Sequence, residues 1–405
     1  MNEKIFFHWE SSPQTKEKDG PLSGVKIAIQ PNLSVRGWPT EAGSPALEHY
    51  IALEDATVIS RIRKAGAMLV GSTHMSELGF GLVGDTAGSA LAEGLCDAAL
   101  VTDTLGEARV ASIPAGAIGY KPSYGISSRL GLIGLIPSME TIGVIARSPE
   151  IIVRIMQTIS GPDPEDFSML SEGFPDFTRI KNGAYPVKTI GIIRESQDAL
   201  PSSELEAFQG ALALLSDRGF EIQDLSLPDF RLFRIVHQVV GSAEASSDAG
   251  KYDSVRYGHR ADGTENWNEM YLKSRTESFG LLVKSYLFQG AYFQFKNYPA
   301  FGDACRIRRS LAQETRSLFD TVDVILLPTR HLGAVPAKAN TVAHVYDAFS
   351  LTCPANVTGM PAVSLSGFVK CGEVDLGLQI LGPHLSDPRI LSFASILLSS
   401  RKGDE

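Results

Sequence analysis

Short apolar runs alternate with segments of helical periodicity, and this alternation constrains the fold more than any other feature of the chain. Residues 26–30 have the alternating pattern of a strand, and residues 55–67 have apolar positions spaced as on one helix face. A buried strand at 67–71, a helix of small residues at 87–95 and a strand at 97–102 follow. Because strand, helix and strand recur in this order, we predict an α/β fold whose parallel sheet is covered by helices.

A second strand–helix–strand unit is predicted in the middle of the chain. A strand at residues 189–194 precedes a helix at 202–219 and a strand at 220–227. Ser203 and Glu206 have the spacing of a capping box, which predicts the start of this helix. The unit extends the α/β pattern beyond the first hundred residues.

Capping signals and apolar runs place the remaining predicted elements. Asp55 is the expected N-cap of the first helix, and Ser148 before Pro149 marks the start of another. A helix at 306–322 should lead into a strand at 323–328. Two further strands are predicted at 362–366 and 376–381.

Charge and motif content exclude several classes of function. The formal net charge is −9 over 405 residues and no basic stripe is present, so we expect no direct nucleic-acid binding. The eight histidines, His237 among them, form no i,i+4 pair, so neither a metal site nor a cofactor is expected. No apolar run approaches a membrane span and the first residues lack a leader-like apolar segment, so we expect a cytoplasmic protein without membrane contact.

The cysteine pattern and the polarity of the ends complete this outline. The four cysteines are widely spaced, which predicts free thiols rather than a disulfide framework. Residues 1–23 are polar and are expected to be irregular or to form a short helix. We predict a single domain over residues 24–395, with a candidate subdomain seam near 161–187, and a polar tail at 396–405.

Six segments, taken in order, resemble the amidase signature family, and within it the A subunits of glutamyl-tRNA(Gln) amidotransferases. The ordered set of motifs spans most of the chain and is specific. The segments are Gly24–Ser44, Asp55–Gly81, Gly116–Ser148, Tyr252–Arg260, Val322–Thr329 and Cys353–Gly367.

The resemblance implies a fold, a chemistry and a set of positions. The expected fold is a mixed β-sheet core surrounded by helices, and the family chemistry is carboxamide hydrolysis by a serine, a second serine joined by a cis peptide, and a lysine. That chemistry needs a base to activate the hydroxyl and backbone N–H groups to bind the oxyanion. The family's lysine position falls on Gln30 and its nucleophile position on Glu107, while Val83 lies nearest the second serine position because the glycine-rich serine loop is missing.

The register around Glu107 is fixed by its neighbours. Asp103, Thr104, Gly106 and Arg109 match the family's turn. The packing motifs therefore persist where the chemical groups are replaced. This pattern predicts a catalytically inactive pseudoenzyme in which Glu107 either pairs with Arg109 or caps a backbone N–H.

An active enzyme with rebuilt chemistry is the alternative. Glu107 could then work as an acid or base with Asp103, which lies four residues before it. Ser89 and Ser112 are weaker candidates for a nucleophile, because neither lies on a family motif in register with a lysine or histidine. Lys121 lies where the family also has a lysine, and there the resemblance implies a structural role.

The resemblance also suggests a ligand and a partner. Tyr298 lies in a region that lines the glutamine pocket of the A subunits, although the match is partial, with Asn297 and Pro299 replacing family residues. Residues of the turn, from Asp103 to Arg109, would complete this pocket. A small carboxamide or amino-acid ligand, and an amidotransferase-type or amidase partner subunit, are the corresponding expectations.

Overall fold

The computed structural model describes residues 2–13, 19–180, 185–198, 200–333 and 336–402. Within them the main sheet has eleven strands in the order β1-β3-β2-β4-β6-β5-β10-β13-β9-β7-β8, and β11 pairs with β12 in a separate hairpin. The strands are β1 Phe6–Trp9, β2 Lys26–Ile29, β3 Met68–Thr73, β4 Ala98–Asp103, β5 Ile118–Lys121, β6 Thr141–Ala146, β7 Thr189–Ile193, β8 Glu221–Leu225, β9 Val324–Pro328, β10 Ala362–Leu365, β11 Lys370–Cys371, β12 Val374–Asp375 and β13 Leu378–Leu381.

Helices cover both faces of this sheet, as expected for a mixed α/β fold. They are α1 Thr57–Lys64, α2 Ala87–Ala92, α3 Glu107–Ser112, α4 Pro149–Ile159, α5 Arg194–Gln197, α6 Ser202–Asp217, α7 Leu232–Asp248, α8 Trp267–Ser278, α9 Leu281–Phe295, α10 Tyr298–Leu318, α11 Val342–Ala348, α12 Cys353–Thr358 and α13 Asp387–Lys402. None of the helices in the described ranges is long and apolar enough to cross a membrane.

The sheet is mixed, as the family resemblance implied, and the purely parallel sheet predicted from the element order is wrong in its centre. Strand β2 runs parallel to β3 and β4, and β7 runs parallel to β8 and β9. Between these two parallel regions, β6, β5, β10 and β13 pair antiparallel. The crossover helices α1, α2 and α6 account for the parallel pairs, whereas β5 and β6 are joined by a loop and need no crossover.

The side-chain alternation of β4 shows how the core is divided between the two faces. Leu100 packs into the cluster that includes Ile59 of α1 and Ile155 of α4. Its neighbour Val101 points to the opposite face and packs with Leu91 of α2. Both faces of β4 are therefore buried, and the strand delivers Asp103 at its end into the interior, where this residue is fully buried.

Several element boundaries differ from the sequence predictions. Phe6–Trp9 forms an edge strand on β3, so the irregular or helical prediction for residues 1–23 is wrong there, because Phe6 is buried against the sheet. Asp55 does not cap α1, whose N-cap is Ala56, since the Asp55 carboxylate accepts from the Arg36 N–H and pairs with Arg63. Helix α13 continues through residues 396–402 of the predicted tail.

The other capping signals gave one success and one error. Ser148 is the N-cap of α4, and Pro149 follows in the first turn as predicted. The capping box at Ser203 is wrong, because α6 begins at Ser202, the predicted first residue, and its N-cap is Pro201. All four cysteines are free, which confirms the prediction of unpaired thiols. The division into domains and the seam near 161–187, part of which lies outside the described residues, stay predictions.

Candidate active-site region around Glu107

The turn between β4 and α3 presents three consecutive backbone N–H groups. Thr104, Leu105 and Gly106 form this turn, and α3 begins at Glu107. Gly106 has a φ of +135°, and a Cβ atom built there would lie 2.1 Å from the Thr352 hydroxyl oxygen. The close approach of Thr352 and the backbone conformation together require glycine at this position.

The Glu107 side chain folds back onto the turn and occupies these N–H groups. Its Oε2 atom accepts from the N–H of Thr104 at 2.8 Å, of Leu105 at 2.7 Å and of Gly106 at 3.1 Å. The residue is only 3% exposed, and its Oε1 atom is buried without a hydrogen-bond partner. Glu107 therefore caps backbone N–H groups, which was one of the two roles predicted for it.

The protonation of Glu107 is set mainly by burial. Removal from water and the nearby negative charge of Asp103 both raise the pKa of this carboxyl, the backbone hydrogen bonds oppose the shift, and the net pKa is about 7. Near neutral pH the group therefore exchanges between an acid and a carboxylate inside the protein.

Arg109 lies beneath the same turn, and every nitrogen of its guanidinium group donates a hydrogen bond within the protein. Its guanidinium forms a two-point pair with Asp103, with Nε–Oδ2 at 3.0 Å and Nη2–Oδ1 at 2.8 Å. The remaining donors reach the Thr352 carbonyl, the Gln379 side chain and the Asn356 side chain. The positive charge of Arg109 holds the pKa of Asp103 below its usual value despite full burial. Arg109 thus pairs with Asp103 rather than with Glu107.

A histidine and three aromatic rings close the space over the turn. His237 of α7 places Nε2 at 2.9 Å from the Thr104 carbonyl oxygen and Nδ1 at 2.9 Å from the Tyr346 hydroxyl. A carbonyl only accepts, so Nε2 carries the proton and Nδ1 accepts from Tyr346. The Tyr286 hydroxyl lies 2.8 Å from that of Tyr346, and the Tyr286 ring stacks on Phe80 at 4.2 Å.

His237, Tyr286, Tyr346 and Phe80 form a cover over the turn, and this cover is closed to solvent and uncharged. His237, Tyr286 and Tyr346 are fully buried, and Phe80 is 1% exposed. Burial lowers the pKa of His237 to about 4, so its imidazole is neutral. Sequence reasoning missed His237 because it tested histidines only for metal patterns; the available signal was a single histidine among apolar residues in the helical stretch Phe233–Val240.

Gln30 lies at the end of β2 and bonds to two chain segments. Its Oε1 atom accepts from the Thr102 N–H at 2.8 Å and from the Thr102 hydroxyl at 2.9 Å. Its Nε2 atom donates to Asp85 Oδ2 at 2.7 Å. Asp85, which the sequence analysis did not single out, also accepts from the Ala87 N–H at the start of α2, and burial raises its pKa to about 6.

The structure does not bring Val83 or Tyr298 to this cluster. Val83 is 42% exposed in the loop before α2, two residues before Asp85. Tyr298 is 63% exposed at the first position of α10, where its ring lies against Phe301. Neither residue shares a hydrogen bond or ring contact with the turn in the described part of the chain, so the predicted pocket role of Tyr298 stays a prediction.

The two candidate serines and Lys121 have other surroundings. Ser89 is exposed on α2, and the Ser112 hydroxyl donates to the Arg109 carbonyl oxygen at 2.8 Å. The Lys121 ammonium is fully buried and donates to the Pro122 carbonyl oxygen at 2.7 Å, and burial lowers its pKa to about 7. Within the described ranges, no group of three His, Cys, Asp or Glu side chains is arranged to hold a metal ion.

A cavity of about 340 Å³ lies beside α2 and α3, next to the Gln30–Asp85 pair. Its lining includes the charged residues Asp85 and Arg330, the hydroxyl-bearing Ser89, and apolar residues such as Leu82 and Val110. Glu107 is not part of the lining. The volume falls at the lower end of the range for small-molecule sites.

Comparison with known proteins gives one consistent result. The family model described as Amidase matches residues 7–391. The A subunit of the glutamyl-tRNA(Gln) amidotransferase from Synechococcus sp. (strain RCC307) is 34% identical, with 94% of this chain and 84% of that protein covered. The A subunit of the Thermus thermophilus enzyme of the same name is 33% identical over 92% of this chain and 84% of its own length.

The solved structures agree at the level of the fold. The crystal structure of the A subunit of glutamyl-tRNA(Gln) amidotransferase from Thermotoga maritima superposes with a TM-score of 0.77. It covers 97% of this chain and 87% of that one, at 24% sequence identity. The mixed sheet with surrounding helices is therefore a known architecture.

Proposed function

The chain belongs to the amidase family, and from this premise we propose that it is a catalytically silent member that serves as a binding protein or partner subunit. One observation carries the proposal: the Glu107 carboxylate accepts hydrogen bonds from the three N–H groups of the turn that precedes α3. Amide hydrolysis needs such N–H groups for the oxyanion that develops on the substrate.

Glu107 blocks that use in two ways. A substrate oxygen would have to displace a buried side chain that is already bonded to the donors. When Glu107 is ionised, its negative charge also opposes the developing charge of an oxyanion. The buried cover of His237 and Tyr286 leaves little room for a substrate at the same place.

The other positions also lack the required chemistry. Gln30 is neutral at any pH and cannot act as a base. We propose that the second serine position of the family corresponds to Asp85 rather than to Val83, because Asp85 contacts Gln30 and its carboxylate accepts from the N–H of Ala87, the first residue of α2. A carboxylate there supplies no hydroxyl to relay a proton. The whole catalytic set is therefore replaced on this proposal, not one member of it.

An active amidase with rebuilt chemistry is the second candidate. The pKa values of Asp85, about 6, and Glu107, about 7, favour it, because carboxyl groups in this range can exchange protons near neutral pH. On this alternative, the cavity beside Asp85 would hold the carboxamide. The burial of Glu107 away from that cavity supports the silent reading over this one.

Ammonia release separates the two candidates. The purified protein should release no ammonia from a panel of carboxamides that includes glutamine, asparagine and simple aliphatic amides. A serine-directed fluorophosphonate should label no serine near the turn. Turnover that is lost in Glu107→Gln or Asp85→Asn would support the active alternative instead.

The names of the relatives suggest the partner. The two relatives named above are A subunits of a glutamyl-tRNA(Gln) amidotransferase, so the partner we propose is an amidotransferase-type or amidase subunit in the cytoplasm. Co-purification of the tagged chain with such a subunit would test this role. The acidic net charge of −9 argues that contact with a nucleic acid would come through that subunit.

The cavity suggests the ligand. Arg330 and Asp85 have opposite charges, and the Arg330 Nε donates to the Asp375 carbonyl oxygen at 2.9 Å. A small carboxamide or amino acid would match opposite charges within a partly apolar wall. Titration with glutamine, followed by heteronuclear NMR, should shift signals of α2, and Arg330→Gln should weaken the binding.

A further inference from the structure

Helix α9 is apolar on two opposite sides. Its inner side consists of Val283, Tyr286, Leu287 and Gly290, which are buried. Its outer side exposes Leu281 by 80%, Phe288 by 74%, Tyr292 by 52% and Phe295 by 79%. Helices of globular proteins that are apolar all round are normally covered on both sides.

The exposed residues form one surface along the helix, which we call the α9 stripe: Leu281, Phe288, Tyr292 and Phe295. Relative to Leu281, the other α9 residues lie 7, 11 and 14 positions further on, which places all four within about 60° of each other around the helix axis. The stripe on α9 is about 21 Å long at 1.5 Å per residue.

The inner side of α9 is fixed to the body of the protein, so the stripe cannot simply turn inward. Gln289 accepts from the Gln238 side chain of α7, and Gln294 donates to the Ala243 carbonyl oxygen at 2.6 Å. Tyr286 belongs to the cover of the Glu107 turn. A partner must therefore come to the stripe, because the helix is held in place.

We propose that the α9 stripe is the contact surface between two copies of this chain, related by a two-fold axis across the middle of the helix. A straight apolar stripe is self-complementary under such an axis, and two-fold dimers are the commonest protein assemblies. The residues of α9 include no acid and a single lysine, Lys284, whose ammonium donates to the Thr276 carbonyl oxygen. Two such surfaces meet without like-charge repulsion.

The available area agrees with a dimer. A fully exposed aromatic side chain offers about 150–250 Å². At the exposures of the four stripe residues, each copy contributes roughly 550 Å², so a symmetric pair buries about 1,100 Å². This area exceeds the roughly 1,000 Å² that a specific protein interface needs. A membrane surface fits less well, since amphipathic membrane helices carry many basic residues on the opposite face, and the opposite face of α9 is buried apolar surface.

The test is the solution mass of the full chain, measured by light scattering after size exclusion at protein concentrations from about 1 to 100 µM. The wild type should have twice the chain mass of 43.6 kDa at the upper concentration. The double variant Phe288→Glu/Phe295→Glu should have the single-chain mass throughout, with at least a 100-fold weaker dimer. Both positions are solvent-exposed, so the thermal unfolding of the isolated chain should stay close to that of the wild type.

Phe167→Glu is the matched control, because Phe167 is 98% exposed and lies on the irregular segment between α4 and β7. This variant should dimerise like the wild type. A wild type that is monomeric at 100 µM would overturn the proposal, including the case in which it binds a different protein or lipid vesicles through the stripe. A dimer that persists in the double variant would overturn it as well.

Discussion

Asp103 and Glu107 lie four residues apart, and both are buried carboxyl groups, yet the protein treats them in opposite ways. Asp103 receives two hydrogen bonds from Arg109 and one from Asn356, and its pKa is lowered. Glu107 receives backbone N–H groups on one oxygen and nothing on the other, and its pKa is raised. The first group is part of the framework, and on our proposal the second replaces a group that the family uses for chemistry.

The difference shows which features of the family turn are structural. The Asp103–Arg109 pair connects the end of β4 to Thr352 and Gln379, so it joins distant parts of the chain whether or not catalysis occurs. Glu107 makes its polar contacts with the three residues before it. We therefore expect a substitution at Glu107 to lower the free energy of unfolding less than a substitution at Arg109 does.

Removing the positive charge of Arg109 should cause the largest loss of stability. In Arg109→Met the buried Asp103 loses its partner, and we expect the free energy of unfolding to fall by about 3–5 kcal/mol, measured by urea denaturation. The exposed pair Arg179–Asp176 is the matched control, and Arg179→Met should leave the free energy of unfolding close to that of the wild type. Equal losses in the two variants would contradict the framework role.

The pH dependence of stability should distinguish Glu107 from the framework. Because its folded pKa of about 7 is above the unfolded value of 4.5, the folded state binds more protons between these pH values. The contribution of the Glu107 proton to stability is thus full below pH 4.5 and is lost as pH rises through 7. Relative to Glu107→Gln, the wild type should lose on the order of 2–3 kcal/mol over this range.

Denaturation of both proteins at several pH values measures that difference. Glu206→Gln removes an exposed glutamate of α6 and should keep the pH dependence of the wild type. Parallel curves for the wild type and Glu107→Gln would mean that Glu107 is ionised at all these pH values, held so by its three N–H donors.

Gln30 should show the smallest effect on stability. In Gln30→Met the Thr102 N–H and the Asp85 carboxylate each lose a partner, which we expect to cost about 1–2 kcal/mol. The exposed Gln313 on α10 offers the matched substitution, Gln313→Met, which should be within about 0.5 kcal/mol of the wild type. A stabilised Gln30→Met would show that the amide is not an integral part of the site.

Local sequence patterns were sufficient to predict many of the strands and helices. The strands at 97–102, 189–194 and 323–328 and the helix at 55–67 correspond to β4, β7, β9 and α1, because each has a clear period and a turn residue at its end. Strands β5 and β6 were not predicted from the sequence. In the structure β5 pairs antiparallel with β10 and β6 pairs antiparallel with β4, which makes the centre of the sheet antiparallel. Pairing across such separations has no local signal.

The family motif drew attention to residues that lie close to one strand end in the structure, but it did not predict their contacts. The family motif pointed to Gln30 and Glu107, and in the structure these residues bond to the last part of β4 and to the turn that follows it. Apart from Asp103, however, the acceptors of Arg109 lie more than 240 residues further along the chain, and His237 is contributed by α7. Only the folded chain shows that Asp85, rather than Val83, meets Gln30.

The most direct test of the central claim is ammonia release from carboxamides by the single variant Glu107→Ser. This variant frees the three N–H groups and supplies a hydroxyl, but Gln30 is neutral and Asp85 offers no serine relay. Groups that act as a unit recover almost nothing when one of them is restored. We therefore predict no ammonia above the uncatalysed rate, from Glu107→Ser and from Gln30→Lys/Glu107→Ser alike. Measurable turnover by Glu107→Ser alone would contradict the account, because it would show that a working base, such as Lys121 or His237, is already in place.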